Sequence, residues 1–251
     1  MTPMQRFGGF FVMGVDTTVG WPSKERVVEF GGQQITLRPE SDEHAPTLVV
    51  RLGATLDELA ARKLLQEFMS ALAWIRGGRL VETFSVPITG CPIFIGKGRG
   101  RMIDDSPIEH LPSPSDPNAR LALALYREAS AVNVIPYQFL GYYKIINILC
   151  DSGSAQKAWI ATAIAQIGDA DAIRRRDQIA QAHGDVAEYL YTSGRCAVAH
   201  AFQQPVVNPD DPEDVRRLGA DLPLIKVLAK YALEHEFGVK SFRTILREHL
   251  F

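Results

Sequence analysis

Four prolines, Pro107, Pro112, Pro114 and Pro117, fall within eleven residues and are mixed with serines. Proline fixes φ and has no amide hydrogen to donate, so neither a helix interior nor a central strand can run through such a stretch. The chain is therefore expected to form two parts, a small α+β domain over residues 1–112 and an all-α helical bundle over residues 113–251. The charge balance is the same on both sides of the boundary. The hydrophobic period is what changes.

Before the prolines the pattern is that of short strands. Arg26-Val27-Val28-Glu29-Phe30 and Gln33-Gln34-Ile35-Thr36-Leu37 are β-rich runs joined by Gly31-Gly32, and two glycines can supply the positive φ angles of a tight hairpin turn. Residues 47–52 and 80–87 are further strand candidates. Between them one helix is predicted over about residues 57–75, with Leu59, Leu64, Phe68, Leu72 and Ile75 at helical spacing.

After the prolines the long segments have the helical period. Helices are predicted over 119–132, 137–149, 151–167, 170–183 and 185–202, the second apolar on most sides, as a helix buried among others would be. A last long helix starts at Asp211-Pro212, where Glu213 and Asp214 in the first turn complement the positive end of the helix dipole. Pro223 lies in its register, so a kink or a restart capped by Asp221 is expected.

Lys+Arg number 27 against 29 Asp+Glu, a formal net charge of −2. No global positive field is available to attract a polyanion, and any contact with RNA must be local. Cys91, Cys150 and Cys196 form neither a disulfide framework nor a Cys-x-x-Cys zinc pair, which fits a reducing cytoplasm. The apolar run Phe10 to Met13 is too short and too glycine-flanked for a signal peptide or a membrane span, and no membrane association is expected.

The segment Tyr189-Leu190-Tyr191-Thr192-Ser193-Gly194-Arg195-Cys196-Ala197-Val198-Ala199-His200-Ala201 holds Arg-x4-His. On an α-helix, Val186, Leu190, Gly194, Ala197 and Ala201 form one stripe that can face a core. Glu188, Tyr191, Val198 and Phe202 make a second, partly apolar face that something should cover. Arg195 and His200 stand about 140° apart around an α-helix, so they meet only if the helix ends or distorts between them, or if two chains share the site. The other candidates are weaker in chemistry. Gly96-Lys97-Gly98-Arg99-Gly100-Arg101 is a basic loop whose Lys97, Arg99 and Arg101 could bind phosphate, with Arg76 and Arg79 as helpers, but it is neither a Walker loop nor a dinucleotide fingerprint. Arg174-Arg175-Arg176 stands among acids and suits a solvated helix face. Cys196 and His200 lack the further ligands that a metal needs, and no metal or cofactor is expected.

An Arg-x4-His motif late in a bundle, preceded by the aromatic-rich Phe139-Leu140-Gly141-Tyr142-Tyr143-Lys144-Ile145-Ile146-Asn147-Ile148-Leu149, resembles the HEPN superfamily and its ApeA-like branch. The likeness covers roughly residues 119–237. The chain, with Gly194-Arg195-Cys196-Ala197-Val198-Ala199-His200-Ala201 and Asn208-Pro209-Asp210-Asp211-Pro212, is also similar to the J-type accessory proteins of methylamine utilisation. The first resemblance implies a homodimer that cuts RNA without metal, Arg195 clamping phosphate and His200 acting as general acid or base. In two positions the sequence departs from that pattern: Cys196 follows the arginine where a polar residue is usual, and Asn147 replaces a common acid. The second resemblance implies a non-catalytic accessory module, with the same helix serving as an interface for an unidentified protein partner.

Overall fold

A computed structural model describes residues 9–41, 44–88, 103–106, 108–200, 206–208 and 210–250. The chain divides into two compact units, one of Met1–Ser113 with Ser241–Phe251 and one of Pro114–Lys240. An N-terminal five-stranded antiparallel sheet with one helix is followed by a region of several packed helices.

The sheet comprises β1 (Phe10–Thr17), β2 (Arg26–Phe30), β3 (Gln33–Arg38), β4 (Thr47–Arg51) and β5 (Leu80–Ile88), in the spatial order β2-β3-β4-β1-β5. The β2–β3 hairpin closes as expected on Gly31 and Gly32, with φ of 58° and 72°, and pairs Phe30 with Gln33. Alternation then sends Val28, Phe30, Ile35 and Leu37 to the buried face. The apolar run around Phe10 is a strand, and it lies between β4 and β5 rather than at an edge. Gly14 permits this, because a Cβ there would collide with the Phe84 ring across the register shift between β1 and β5.

Helix α1 (Glu58–Arg76) packs Leu65, Phe68 and Leu72 into the same core as Phe11, Met13 and Val15 of β1. Asp57 caps it by accepting from the Ala60 amide at 2.8 Å. Leu59, expected on its apolar face, is instead 78% exposed, since it falls in the first turn beyond the edge of the buried stripe. At the other end, Arg76 ion-pairs with Asp104 and donates to the Ser106 carbonyl at 2.8 Å. Burial, helped by neighbouring Arg26, holds its guanidinium below the usual arginine range. Arg79 is paired with Asp16. Both arginines are therefore engaged in ion pairs within unit 1. Lys97, Arg99, Arg101 and Cys91 lie outside the described residues.

The helical unit begins with α2 (Pro117–Ala131), capped by Asp116 through the Asn118 and Ala119 amides, and α3 (Ile135–Leu149). These two approach closely: a Cβ on Gly141 would stand 2.8 Å from that of Ala129. Phe139, Tyr142 and Tyr143 are fully buried, so most of the aromatic cluster is core, while Tyr137 is 60% exposed. Helices α4 (Gly153–Ala163) and α5 (Ala170–His183) follow, capped by Ser152 and Asp169. Next come α6 (Val186–Tyr189), a π-helical segment Leu190–Cys196, and α7 (Ala197–Ala199). Helix α8 (Pro212–Tyr231) starts at Asp211 as expected, continues into a π-helical turn Ala232–Glu236, and is followed by α9 (Phe242–Leu250), which belongs to unit 1.

Two expectations for this unit, a restart capped by Asp221 and a solvated Arg175, are not met. Asp221 does not cap a restarted helix, because α8 runs through Pro223. Asp221 is instead 0% exposed, accepting from Arg175 Nε at 2.7 Å and from the Tyr189 hydroxyl at 3.1 Å. Burial pushes its carboxyl up, and the arginine opposes this. Arg175 therefore leaves the solvated face assigned to its triplet and joins α5 to α8. Removing Asp221 leaves the partly exposed Arg175 without its carboxylate and the buried Tyr189 hydroxyl without its acceptor, so Asp221→Ala should cost about 3 kcal/mol in urea unfolding. Arg174→Ala, which breaks only an exposed pair with Asp171, should change stability by under about 0.5 kcal/mol. Equal effects from the two variants would contradict a buried network at Asp221.

Candidate functional site

The site follows from how one helix is laid against α3. Of the expected stripe, Leu190, Gly194 and Ala197 are buried, Val186 is half-buried, and Ala201 lies outside the described residues. Gly194 faces Phe139 so closely that a Cβ on it would stand 2.5 Å from Cζ of that ring. Between Leu190 and Cys196 the backbone widens into a π-helix, and Arg217 of α8 donates to the Ser193 carbonyl at 2.8 Å. Such segments are uncommon and recur at functional sites because they alter the angular spacing of side chains. The helix then stops. His200 has extended backbone, φ −127° and ψ 114°, with its amide still bonded to the Cys196 carbonyl.

Distortion and termination together bring the two motif residues into contact. Arg195 NH1 stands 3.2 Å from His200 Nε2 within a single chain. A guanidinium can only donate, so Nε2 must supply its lone pair, and the ring proton belongs on Nδ1. The 140° separation expected on an α-helix thus disappears without a second chain.

Around this pair the surroundings are polar but uneven. Arg195 is half-buried, and no carboxylate pairs with it among the described residues. Its neighbours are the Cys196 sulfur at 3.6 Å and the Tyr191 ring, whose centroid lies 5.7 Å from Cζ. Glu188, a candidate partner on charge grounds, binds Lys157 at 2.6 Å instead. The Arg195 Nε, the Tyr143 hydroxyl and the Asn147 Oδ1 are buried without a hydrogen-bond partner. Burial is the main cause that pushes the Tyr143 phenol up, so it stays protonated and keeps a donor.

The second face of the helix, expected to need a cover, receives part of it from α4 of the same chain. Tyr191 packs on Gly153, where a Cβ would collide with its hydroxyl, and Lys157 stands 5.5 Å from the Tyr191 ring centroid. Phe202 lies outside the described residues. No group of three metal-ligating side chains occurs among the described residues. The widened turn itself had no sequence signal beyond Gly194, because it arises from tertiary contacts with Phe139 and Arg217.

If the close approach of Gly194 sets this geometry, Gly194→Ala forces the Phe139 ring or the helix to move. The variant should lose about 1–3 kcal/mol in denaturant unfolding. A neutral effect would show that Phe139 yields freely and does not position the pair.

Residues 122–234, which include α3 and the Arg195–His200 pair, match the model of the family described as Methylamine utilization protein MauJ. That stretch is a little under half of the chain. No curated protein and no solved structure matches the chain. Among the described residues no helix is long and apolar enough to cross a membrane.

Proposed function

We propose that the chain is a non-catalytic accessory module of the methylamine-utilization type, in which the helix bearing Arg195 and His200 supports an interface with a protein partner. The observation that carries this reading is the 3.2 Å contact between the two motif residues. A histidine acting as general base needs a free lone pair aimed at the proton that it takes. Here Nε2 spends that lone pair on Arg195, and Nδ1 carries the ring proton. Each motif residue is thus engaged by the other, which suits a structural role in shaping the surface. The family match to residues 122–234 supports the same reading.

A second reading, a metal-independent endoribonuclease of HEPN type, is favoured by one feature: Arg195 has no carboxylate partner among the described residues, so its remaining donors could meet a phosphate. In that reading two copies pair, RNA displaces the contact with His200, and His200 becomes the acid or base. Lys97, Arg99 and Arg101 would add phosphate contacts.

Incubating the purified protein with labelled single-stranded RNA in EDTA, beside Arg195→Ala and His200→Ala, separates the two. The accessory reading predicts intact RNA in all three reactions. It also predicts that His200→Ala restores methylamine-dependent growth to a strain lacking the gene. Cleavage by the parent chain that both substitutions abolish would overturn the accessory reading.

A further inference from the structure

Helix α8 grips the motif segment at two points through one side chain. Arg217 donates from Nη1 to the Ser193 carbonyl at 2.8 Å, inside the π-helical turn and two residues before Arg195. Its Nη2 reaches Asp214, three residues earlier on α8, at 3.5 Å. Asp214 in turn accepts from the Asn208 amide at 2.9 Å. The residue before Asn208 closes the circuit, because the Val207 amide donates to the Ala197 carbonyl at 3.1 Å. Ser193 and Ala197 bracket Arg195, and both are thus tied, directly or through the returning chain, to one guanidinium–carboxylate pair.

A side-chain donor at a helix carbonyl is among the identifiable causes of local distortion, and here it falls within the widened turn itself. The scaffold behind the donor is firm. Leu218, next to Arg217, is fully buried, and Asp211 caps the start of α8 by accepting from the Glu213 amide at 2.8 Å. A guanidinium also presents its donors in one rigid fork, which a lysine ammonium does not. We propose that Arg217 is the positioning residue of the Arg195–His200 pair. By fixing Ser193 and, through Asp214, the returning chain at Asn208, it sets the register in which His200 Nε2 meets Arg195. The inference rests on the accessory reading, whose premise is that contact within one chain, and adds to it the residue that maintains the contact.

The test reads the His200 tautomer by ¹⁵N NMR of the imidazole in the full chain, at about pH 8.5, where an ordinary histidine is neutral. In the parent chain the contact with Arg195 holds the ring proton on Nδ1. Arg217→Ala should cut the Nδ1–H fraction at least about twofold, because a released ring populates both forms. Arg217→Lys should recover part of it, and Arg216→Ala, at an exposed neighbouring position, should leave it unchanged. Asp214→Ala, which opens the other arm of the clamp, should lower the fraction too, and it gives the answer if Arg217→Ala fails to fold. A parent-like fraction in folded Arg217→Ala, or in Asp214→Ala where only that variant folds, would overturn the proposal and leave the accessory reading intact. A parent chain whose His200 carries its proton on Nε2 would overturn both.

Discussion

The contact between Gly194 and the Phe139 ring is the constraint on which the helical unit's candidate site depends. With no side chain at 194, the helix lies close against α3, and the next residue, Arg195, is carried past the ring toward Tyr143 and His200. A regular α-helix would still send Arg195 and His200 in different directions. The π-helical widening, held at Ser193 by Arg217, and the helix end at His200 remove that difference. Packing thus creates the pair, and the pair in turn gives a half-buried guanidinium an acceptor where no carboxylate among the described residues pairs with it.

The two units are stabilised by different means. Unit 1 relies on alternation: β1, β3 and β4 send Met13, Ile35 and Leu48 into one apolar core with Phe68 and Leu72 of α1. Buried polar side chains there, such as Thr47 and Ser70, are uncharged and donate to backbone carbonyls. The helical unit instead admits charged groups to its interior. Asp221, Arg175 and Tyr189 satisfy one another, whereas the Tyr143 hydroxyl and the Asn147 Oδ1 do not find partners. Because an unpaired buried polar group is costly, these atoms on α3 are among the places where the bundle departs from optimal packing. They lie on the helix that also carries Phe139, the ring against Gly194.

Features written in local chemistry were legible in the sequence. Gly31-Gly32 announced the hairpin, and Asp211-Pro212 announced a helix start, because a cap or a positive φ depends on residues a few positions away. The period change across the proline-rich connector indicated a mixed unit followed by helices. What escaped was tertiary. Phe10 to Met13 resembled an isolated patch because Gly14 breaks the β pattern, yet Gly14 is what admits the Phe84 ring and lets β1 take the centre of the sheet. Arg175 looked solvated because its neighbours are acidic, while its partner Asp221 lies 46 residues away. Arg195 and His200 were identifiable as a motif, but their meeting within one chain was not, since a π-helical turn and a helix end cannot be read from spacing alone.

The central claim is that Arg195 and His200 bind each other inside one chain. A double-mutant cycle on stability, using Arg195→Ala, His200→Ala and the double variant, tests it directly. The coupling should be about 0.5–1.5 kcal/mol, the range of a partly buried hydrogen bond, and the same at low and high protein concentration. Coupling near zero, or coupling that appears only as the protein concentration rises, would contradict the account and return the pair to a site shared between two chains.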